Sequence, residues 1–469
     1  MADRIFLENG PVYPARVEGS SNVYEAPNFI LTKPKWIADE QVSTCGICKN
    51  KFNQIRRKHH CRQCGNVRCN KCCSEKIPLP QMGINTPERV CDVCRPVTEL
   101  VTKSRSPMSS FQNEAAIGLA ELCRDPNKIK FVVELGGIFT LIALARQAAD
   151  QEATVSKVLN GLHILSTHQP LHQLMADAGA IRAICDIMDR ADPSKADLLQ
   201  DGIGSLMIFC KSPSLRQQVI SDQALPVILK LFRNPNDAIA LLAISTLSLM
   251  IEHPGTHKAI MEGNVNVLPK VLAQTTSFDE QMQEVSLKVL GHLSMGPAFQ
   301  KHRIIQEDFS TGQCLLKALH SKPSNIQILT NAACVIANVA TNQDDQGCLQ
   351  SLMESMCNLL QNEITNIDLL VHVTRGIANF SSFKQNAHKL VSCLPLIVWK
   401  CLKSSNPGVR THGLRAVLNL LKHLPSQTTD QLISDGASLV LKQIGETTVL
   451  MDSIQTTLLT LVPHIAKPL

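Results

Sequence analysis

At 469 residues the chain is too long for one core, so two or more units or a repeat array are expected. Its charge is concentrated: residues 36–95 carry eleven Lys/Arg and five Asp/Glu, a surplus of six that equals the formal net charge, and the remainder balances at 35 against 35. No charged start leads into an apolar run, and no eighteen consecutive residues are apolar, which predicts no signal peptide and only peripheral membrane contact.

Residues 1–33 mix Gly10, Pro11, Pro14, Gly19, Ser20, Ser21 and Pro27 without helical period, and read as a flexible leader. Tyr13 and Tyr24, the only tyrosines, look incidental. From Cys45 to Cys94 eight cysteines form four Cys-x-x-Cys pairs: Cys45/Cys48, Cys61/Cys64, Cys69/Cys72 and Cys91/Cys94. Each pair offers two thiolates from one tight turn, and two pairs complete a tetrahedral shell, so two structural Zn²⁺ ions are expected. Eight thiolates and two Zn²⁺ would bring this segment near +2. Its run Arg56-Arg57-Lys58-His59-His60-Cys61-Arg62 still clusters enough basic side chains to meet an anion, although such a run alone fits a solvated face equally well.

Three separated signatures then agree: Trp36-Ile37-Ala38-Asp39, Arg57-Lys58-His59-His60-Cys61-Arg62 and Arg89-Val90-Cys91. With the cysteine pairs, residues 34–97 resemble the FYVE zinc fingers of early-endosome proteins. The resemblance implies a cross-brace, with Cys45, Cys48, Cys69 and Cys72 on one ion and Cys61, Cys64, Cys91 and Cys94 on the other. Cys73 is left as a spare thiol. It further implies binding of phosphatidylinositol 3-phosphate. Arg57, Lys58, Arg62 and Arg89 would converge on the phosphate, the arginines offering planar forks. Asp39 and His60 would sit at the inositol hydroxyls, where a carboxylate repels further phosphates. With all eight ligand positions held by cysteine, His59 and His60 are expected to be uncoordinated. Titrating near ~6.5, they would hold lipid less well as pH rises from about 6 to 8. In the membrane-facing loop Gln54 and Ile55 precede the basic run, Ile55 is the one good apolar wedge, and Arg68 stands where the family has an apolar residue. Shallow insertion is expected.

Residues 98–108 read as a linker containing Ser104, Ser106 and Pro107. From 109 to 469 helical periodicity takes over, as in Leu414, Val417, Leu418 and Leu421. One position recurs at Ala120, His163, Met207, Ser248, His292, Asn338, Asn379, Asn419 and Thr460, a period near 42. This segment resembles armadillo repeats, about nine units, which implies an α-solenoid with one continuous core and a groove. The predicted fold class is therefore mostly α, a solenoid preceded by a small two-zinc finger. Asn338, Asn379 and Asn419 form a candidate peptide groove toward the C-terminus, or else bond neighbouring helices. Cys334, Arg375 and Arg415 stand where import receptors carry Trp one turn earlier, which argues against that function. His163 and His292 read as core or groove-lining residues.

The nine cysteines outside the finger are scattered singly, as reduced core residues of a cytosolic protein would be. No Gly-rich phosphate loop with Lys, nucleophile elbow or open zinc site supports an enzyme. A zinc-finger ubiquitin ligase would want a His ligand and apolar contact loops. Nucleic-acid binding lacks a stacking platform, since Phe52 is the only aromatic from Gln41 to Cys94. What remains is a cytoplasmic adaptor, peripheral on early endosomes, with an unidentified protein partner on the solenoid. Homodimerisation or a second contact through the repeats would raise its avidity.

Overall fold

The computed structural model describes residues 4–232, 234–262, 267–321, 325–446, 456 and 460. The chain divides into two compact units, residues 1–250 and 251–469. The last ladder position, Thr460, is helical, but its neighbours lie outside the described residues.

The first unit begins with four antiparallel hairpins: Ile5–Leu7 with Gly10–Val12, Val17–Glu18 with Ile30–Leu31, Lys58–His60 with Val67–Cys69, and Lys76–Leu79 with Ile84–Arg89. The first two correct the expectation of a flexible leader. Their segment is a strap over the repeats. Asn9 Nδ2 donates to Pro126 O at 2.7 Å, and the Ala15 N–H donates to Val133 O at 3.1 Å. The Tyr24 N–H donates to Ala178 O at 3.3 Å, and the Tyr24 hydroxyl donates to Asp186 at 2.6 Å. Val12, Val23, Tyr24, Phe29 and Leu31 are buried. Tyr24 is thus a structural anchor; burial, then the Asp186 hydrogen bond, pushes its pKa up to about 12. Gly and Pro keep this chain out of helices, and the carbonyls at the turns beneath it take its N–H groups.

The strap also needs glycine under it. Gly179 has φ +90°, and a Cβ there would stand 2.4 Å from Asn22 Oδ1. Gly179→Ala is therefore expected to destabilise the unit by about 1–2 kcal/mol from backbone conformation alone. Thermal melting reads the loss, and faster proteolysis within residues 4–31 reads release of the strap.

The expected linker is largely helical as well. Arg95–Ser104 starts directly after Cys94, with Pro96 in its first turn and Val97, Thr98, Val101 and Ser104 buried. Pro is tolerated there because the first N–H groups have no intrahelical partner. This helix packs on Ser109–Arg124. Thr102 Oγ1 donates to Pro78 O at 3.0 Å, tying it back to the fourth hairpin.

The rest of the unit is the repeat pattern: two shorter helices joined at a left-handed residue, then a longer one. Ile129–Glu134, Gly137–Gln147 and Glu152–Ser166 make one set; His172–Asp177, Ala180–Arg190 and Ala196–Lys211 the next; Pro213–Ser221, Ala224–Leu231 and Asp237–Met250 the third. Gly136, Gly179 and Gln223 hold the joints at positive φ. Successive long helices pack on one another, burying Leu119, Leu162, Leu206 and Leu247.

The second unit continues the pattern, with Glu280–Leu293, Ile326–Val339, Ile367–Phe380 and Pro407–His423 as long helices. Asp279, Asn325, Asn366 and Asn406 cap their N-termini, each side chain accepting a backbone N–H. A polar residue shortly beyond a long helix satisfies an orphan carbonyl at that helix's end. His172 donates to Ser166 O and Arg216 to Cys210 O in the first unit. His257 donates to Ile251 O, Gln346 to Ala340 O and Asn386 to Phe380 O in the second. The last turn of a helix leaves such acceptors without partners, so this lock recurs with the repeat.

Candidate functional site

The finger is built on two matching knuckles. In each, the first cysteine N–H takes a carbonyl five residues on: Cys45 to Asn50 O at 2.9 Å, Cys61 to Asn66 O at 3.0 Å. Lys49 and Gly65 turn the chain at φ 62° and 70°. The fold gathers Cys45, Cys48, Cys69 and Cys72 into one group and Cys61, Cys64, Cys91 and Cys94 into another, the sulfurs of each lying within 4.8 Å of one another. Cys48 Sγ lies 3.7 Å from Cys69 Sγ, against about 3.8 Å between sulfurs of a tetrahedral site with Zn–S bonds of ~2.3 Å. Backbone N–H groups also point at sulfur, from Cys69 to Cys45 at 3.5 Å and from Cys91 to Cys61 at 3.3 Å.

The Asn50 N–H, first among several donors, holds Cys48 down to about 6, while burial and then the sulfurs of Cys69 and Cys48 push Cys72 up to about 12. Four crowded sulfurs cannot share full thiolate character unless a cation sits among them. Each group of four cysteines can bind one zinc ion. Cys73 is buried and outside both groups, and among the described residues no histidine joins either.

Around this frame the basic signature closes on the Trp36 segment. Trp36 passes over the second knuckle, where the Ile37 N–H donates to Gly65 O at 3.1 Å. Its indole stacks on the His60 imidazole, centroids 4.5 Å apart and planes 17° apart. The Arg62 guanidinium lies 4.7 Å from the same ring centroid. Lys58 Nζ donates to Asp39 O at 2.6 Å. His60 Nε2 donates to Ile37 O at 2.8 Å and lies 3.8 Å from Asp39 Oδ1. Arg62 pairs with Glu88 at 3.2 Å, and Arg89 Nη1 donates to Asn70 Oδ1 at 3.0 Å and Cys73 O at 2.8 Å.

His59 is neither coordinated nor ordinary. Burial, followed by the charges of Arg89 and Arg57, lowers its pKa, with Asp39 opposing. The expected titration near the usual histidine value is therefore corrected for His59. Its charge therefore appears on the acid side of that value.

At the loop tip, Asn53 Oδ1 accepts the N–H groups of Ile55 and Arg56 at 3.0 and 2.6 Å. That turn pushes Ile55 out to 94% exposure, with Gln54 exposed beside it. Phe52 packs inward on Cys45, Cys69 and Cys72. Arg68 folds its guanidinium against Gly46, so it does not extend the apolar tip.

The three ladder asparagines tie neighbouring helices together. Asn338 Nδ2 donates to Ser294 Oγ at 2.9 Å, Asn379 Nδ2 to Ala337 O at 2.7 Å, and Asn419 Nδ2 to Ala378 O at 3.2 Å. Their amide donors bond the preceding long helix, the alternative that residue type alone left open. His163 bonds Ser205 and His292 is half-buried, with its pKa lowered first by burial. Residue reading missed the Trp36 stack and the Arg62–Glu88 pair. The Trp36 signature signalled the first; nothing local signalled the second.

Comparison with known proteins matches residues 35–99 to the FYVE zinc finger model. Vacuolar protein sorting-associated protein 27 of Eremothecium gossypii is 38% identical over 91 residues, which span 19% of this chain and 15% of that protein. Lateral signaling target protein 2 of Caenorhabditis elegans is 34% identical over 90 residues, 18% of this chain and 14% of its own length. These alignments therefore span about one-seventh of each relative. An engineered protein of known crystal structure superposes over 79% of this chain and 99% of its own, with TM-score 0.57 and 19% identity, a likeness of fold alone. A designed armadillo repeat protein superposes over 51% of this chain and 99% of its own, with TM-score 0.45 and 18% identity. The chain carries a FYVE zinc finger followed by helical, armadillo-like repeats.

Proposed function

We propose that this chain is a non-enzymatic adaptor that binds phosphatidylinositol 3-phosphate on early endosome membranes through its finger, and a protein partner through its repeats. The observation that carries the lipid reading is the convergence of Lys58, His60, Arg62 and Asp39 around Trp36, within a segment that matches the FYVE model. Arg62 already faces a carboxylate, that of Glu88, which a phosphate oxygen would displace. Arg57 and Arg89 both act electrostatically on His59 and would share the phosphate charge. Asp39 would accept from an inositol hydroxyl and repel a second phosphate. No helix among the described residues is long and apolar enough to cross a membrane, so contact is through the finger's surface.

Calorimetric titration with short-chain, soluble phosphatidylinositol 3-phosphate and 4-phosphate tests this. Binding of the 3-phosphate alone is expected; equal heats from both would contradict it. Ile55 then adds the membrane component. Ile55→Asp is expected to leave soluble-lipid binding unchanged and weaken vesicle binding roughly tenfold, by about 1–2 kcal/mol of lost apolar burial. Vesicle sedimentation beside calorimetry separates the two.

A further inference from the structure

Two consecutive repeats of the second unit carry one pattern on their long helices: His372-Val-Thr-Arg375-Gly-Ile-Ala-Asn379 and His412-Gly-Leu-Arg415-Ala-Val-Leu-Asn419. In both, the guanidinium turns back on its own histidine, Arg375 Nη2 to His372 Nδ1 and Arg415 Nη1 to His412 Nδ1, each at 3.3 Å. A guanidinium only donates, so each Nδ1 accepts and each ring is the neutral tautomer. Burial, then the neighbouring arginine, lowers both histidine pKa values, that of His412 to about 4. The histidines orient the arginines without adding charge.

The remaining partners are neutral too. Arg375 Nη2 also reaches Cys334 O at 3.3 Å, Arg415 Nη2 bonds Asn379 Oδ1, and Arg375 Nε is buried with no partner. Among the described residues neither arginine is ion-paired with a carboxylate. Lys301, on Ala298–Ser310, joins them: burial and then Arg375 lower its pKa, and the same two causes lower that of Arg415. The acidic group that acts on His372 is Asp368, exposed in the first turn of Ile367–Phe380. Half-buried like charges without counter-ions oppose folding. A ligand that brings anions removes the opposition, and guanidinium forks select carboxylate or phosphate.

We propose that this face binds an acidic segment of a protein partner, with Arg375 and Arg415 taking two of its carboxylate or phosphate groups. The inference rests on the reading of the repeats as a partner-holding arm. Adjacent packed helices lie about 8–10 Å apart, and an extended chain advances ~3.3 Å per residue, so acidic groups about three residues apart meet both forks. The forks are recessed, which suits side chains of an extended peptide better than a flat bilayer.

The test uses the full, zinc-loaded chain and fluorescein-labelled octapeptides in anisotropy titrations: octa-glutamate, alternating phosphoserine–glycine, octa-glutamine and octa-lysine. One or both anionic peptides are expected to bind, and whichever binds more tightly identifies carboxylate or phosphate as the group. Arg375→Gln with Arg415→Gln is expected to weaken that binding tenfold or more, and exposed Lys384→Gln to leave it unchanged. Should the glutamine pair melt early, Arg375→Lys with Arg415→Lys decides, since losing the fork alone must weaken binding. Unchanged affinity in a folded arginine variant, or an equal loss with Lys384→Gln, overturns the site. Binding of only octa-glutamine or octa-lysine overturns the acidic class while leaving a peptide-holding arm. Binding of no peptide overturns both.

Discussion

Removing zinc is expected to unfold residues 45–94 and abolish lipid binding, while the repeats keep their helical signal. Beyond zinc the finger buries only a few apolar side chains, among them Val67, Leu79, Met82 and Val90. Its strands are three to six residues long, and around the first ligand group the buried apolar material is Cys45, Cys69 and Cys72 with Ile47, Cys48 and Phe52 against them. Metal binding is folding energy in such a segment, about 10–16 kcal/mol for structural zinc at neutral pH. Because the two ligand groups interleave along the chain, losing one releases the other, so Cys61→Ser should cost both ions. The sign with pH follows from the thiols: ligands must be deprotonated, so zinc is held at neutral pH and released as pH falls. A chromophoric chelator should count two zinc ions per chain, with circular dichroism recording retained helix. A metal-free chain whose finger resists proteolysis as before would contradict this account.

The second large effect is expected from Arg57→Ala with Arg62→Ala. Each arginine would make charge-assisted hydrogen bonds to one phosphate, worth about 1.5–3 kcal/mol apiece. Together they amount to about 3–6 kcal/mol, or roughly 10²–10⁴-fold in affinity. Neither side chain touches a zinc-ligating sulfur, although Arg62 also lies over the Trp36 ring and donates to His60 O. Arg57 contacts Gln54 O at 3.5 Å, and Arg62 pairs with half-exposed Glu88. Zinc content and melting temperature should stay near those of the unaltered chain while affinity collapses. A loss of zinc alongside binding would move these residues from recognition to structure.

Much of this was legible in the amino-acid sequence, because the informative constraints are local. Cysteines three apart make a knuckle wherever they occur, and a ladder position that returns every 40 to 46 residues marks stacked helices. The strap was not legible. Its Tyr24 bond to Asp186 joins residues 162 apart, and its Gly and Pro resemble a coil until the carbonyls beneath it are known. Ser104 reads as part of a linker, yet it closes the helix Arg95–Ser104, whose first turn accommodates Pro96. The ladder asparagines show the opposite limit. Their chemistry fits a peptide clamp or a helix tie, and the tie of Asn379 to Ala337 appears only once the helix register is known. The repeated His-x-x-Arg-x-x-x-Asn could have been found from spacing alone, but its half-buried, unpaired charge could not.

Vesicle flotation decides whether the finger recognises one phosphoinositide. The zinc-loaded full chain would be floated with vesicles carrying phosphatidylinositol 3-phosphate, phosphatidylinositol 4-phosphate or neither. Flotation with the 3-phosphate alone, lost in the Arg57→Ala, Arg62→Ala chain, is the predicted result. Equal flotation with all three vesicles, or none from a folded and zinc-loaded protein, would contradict it.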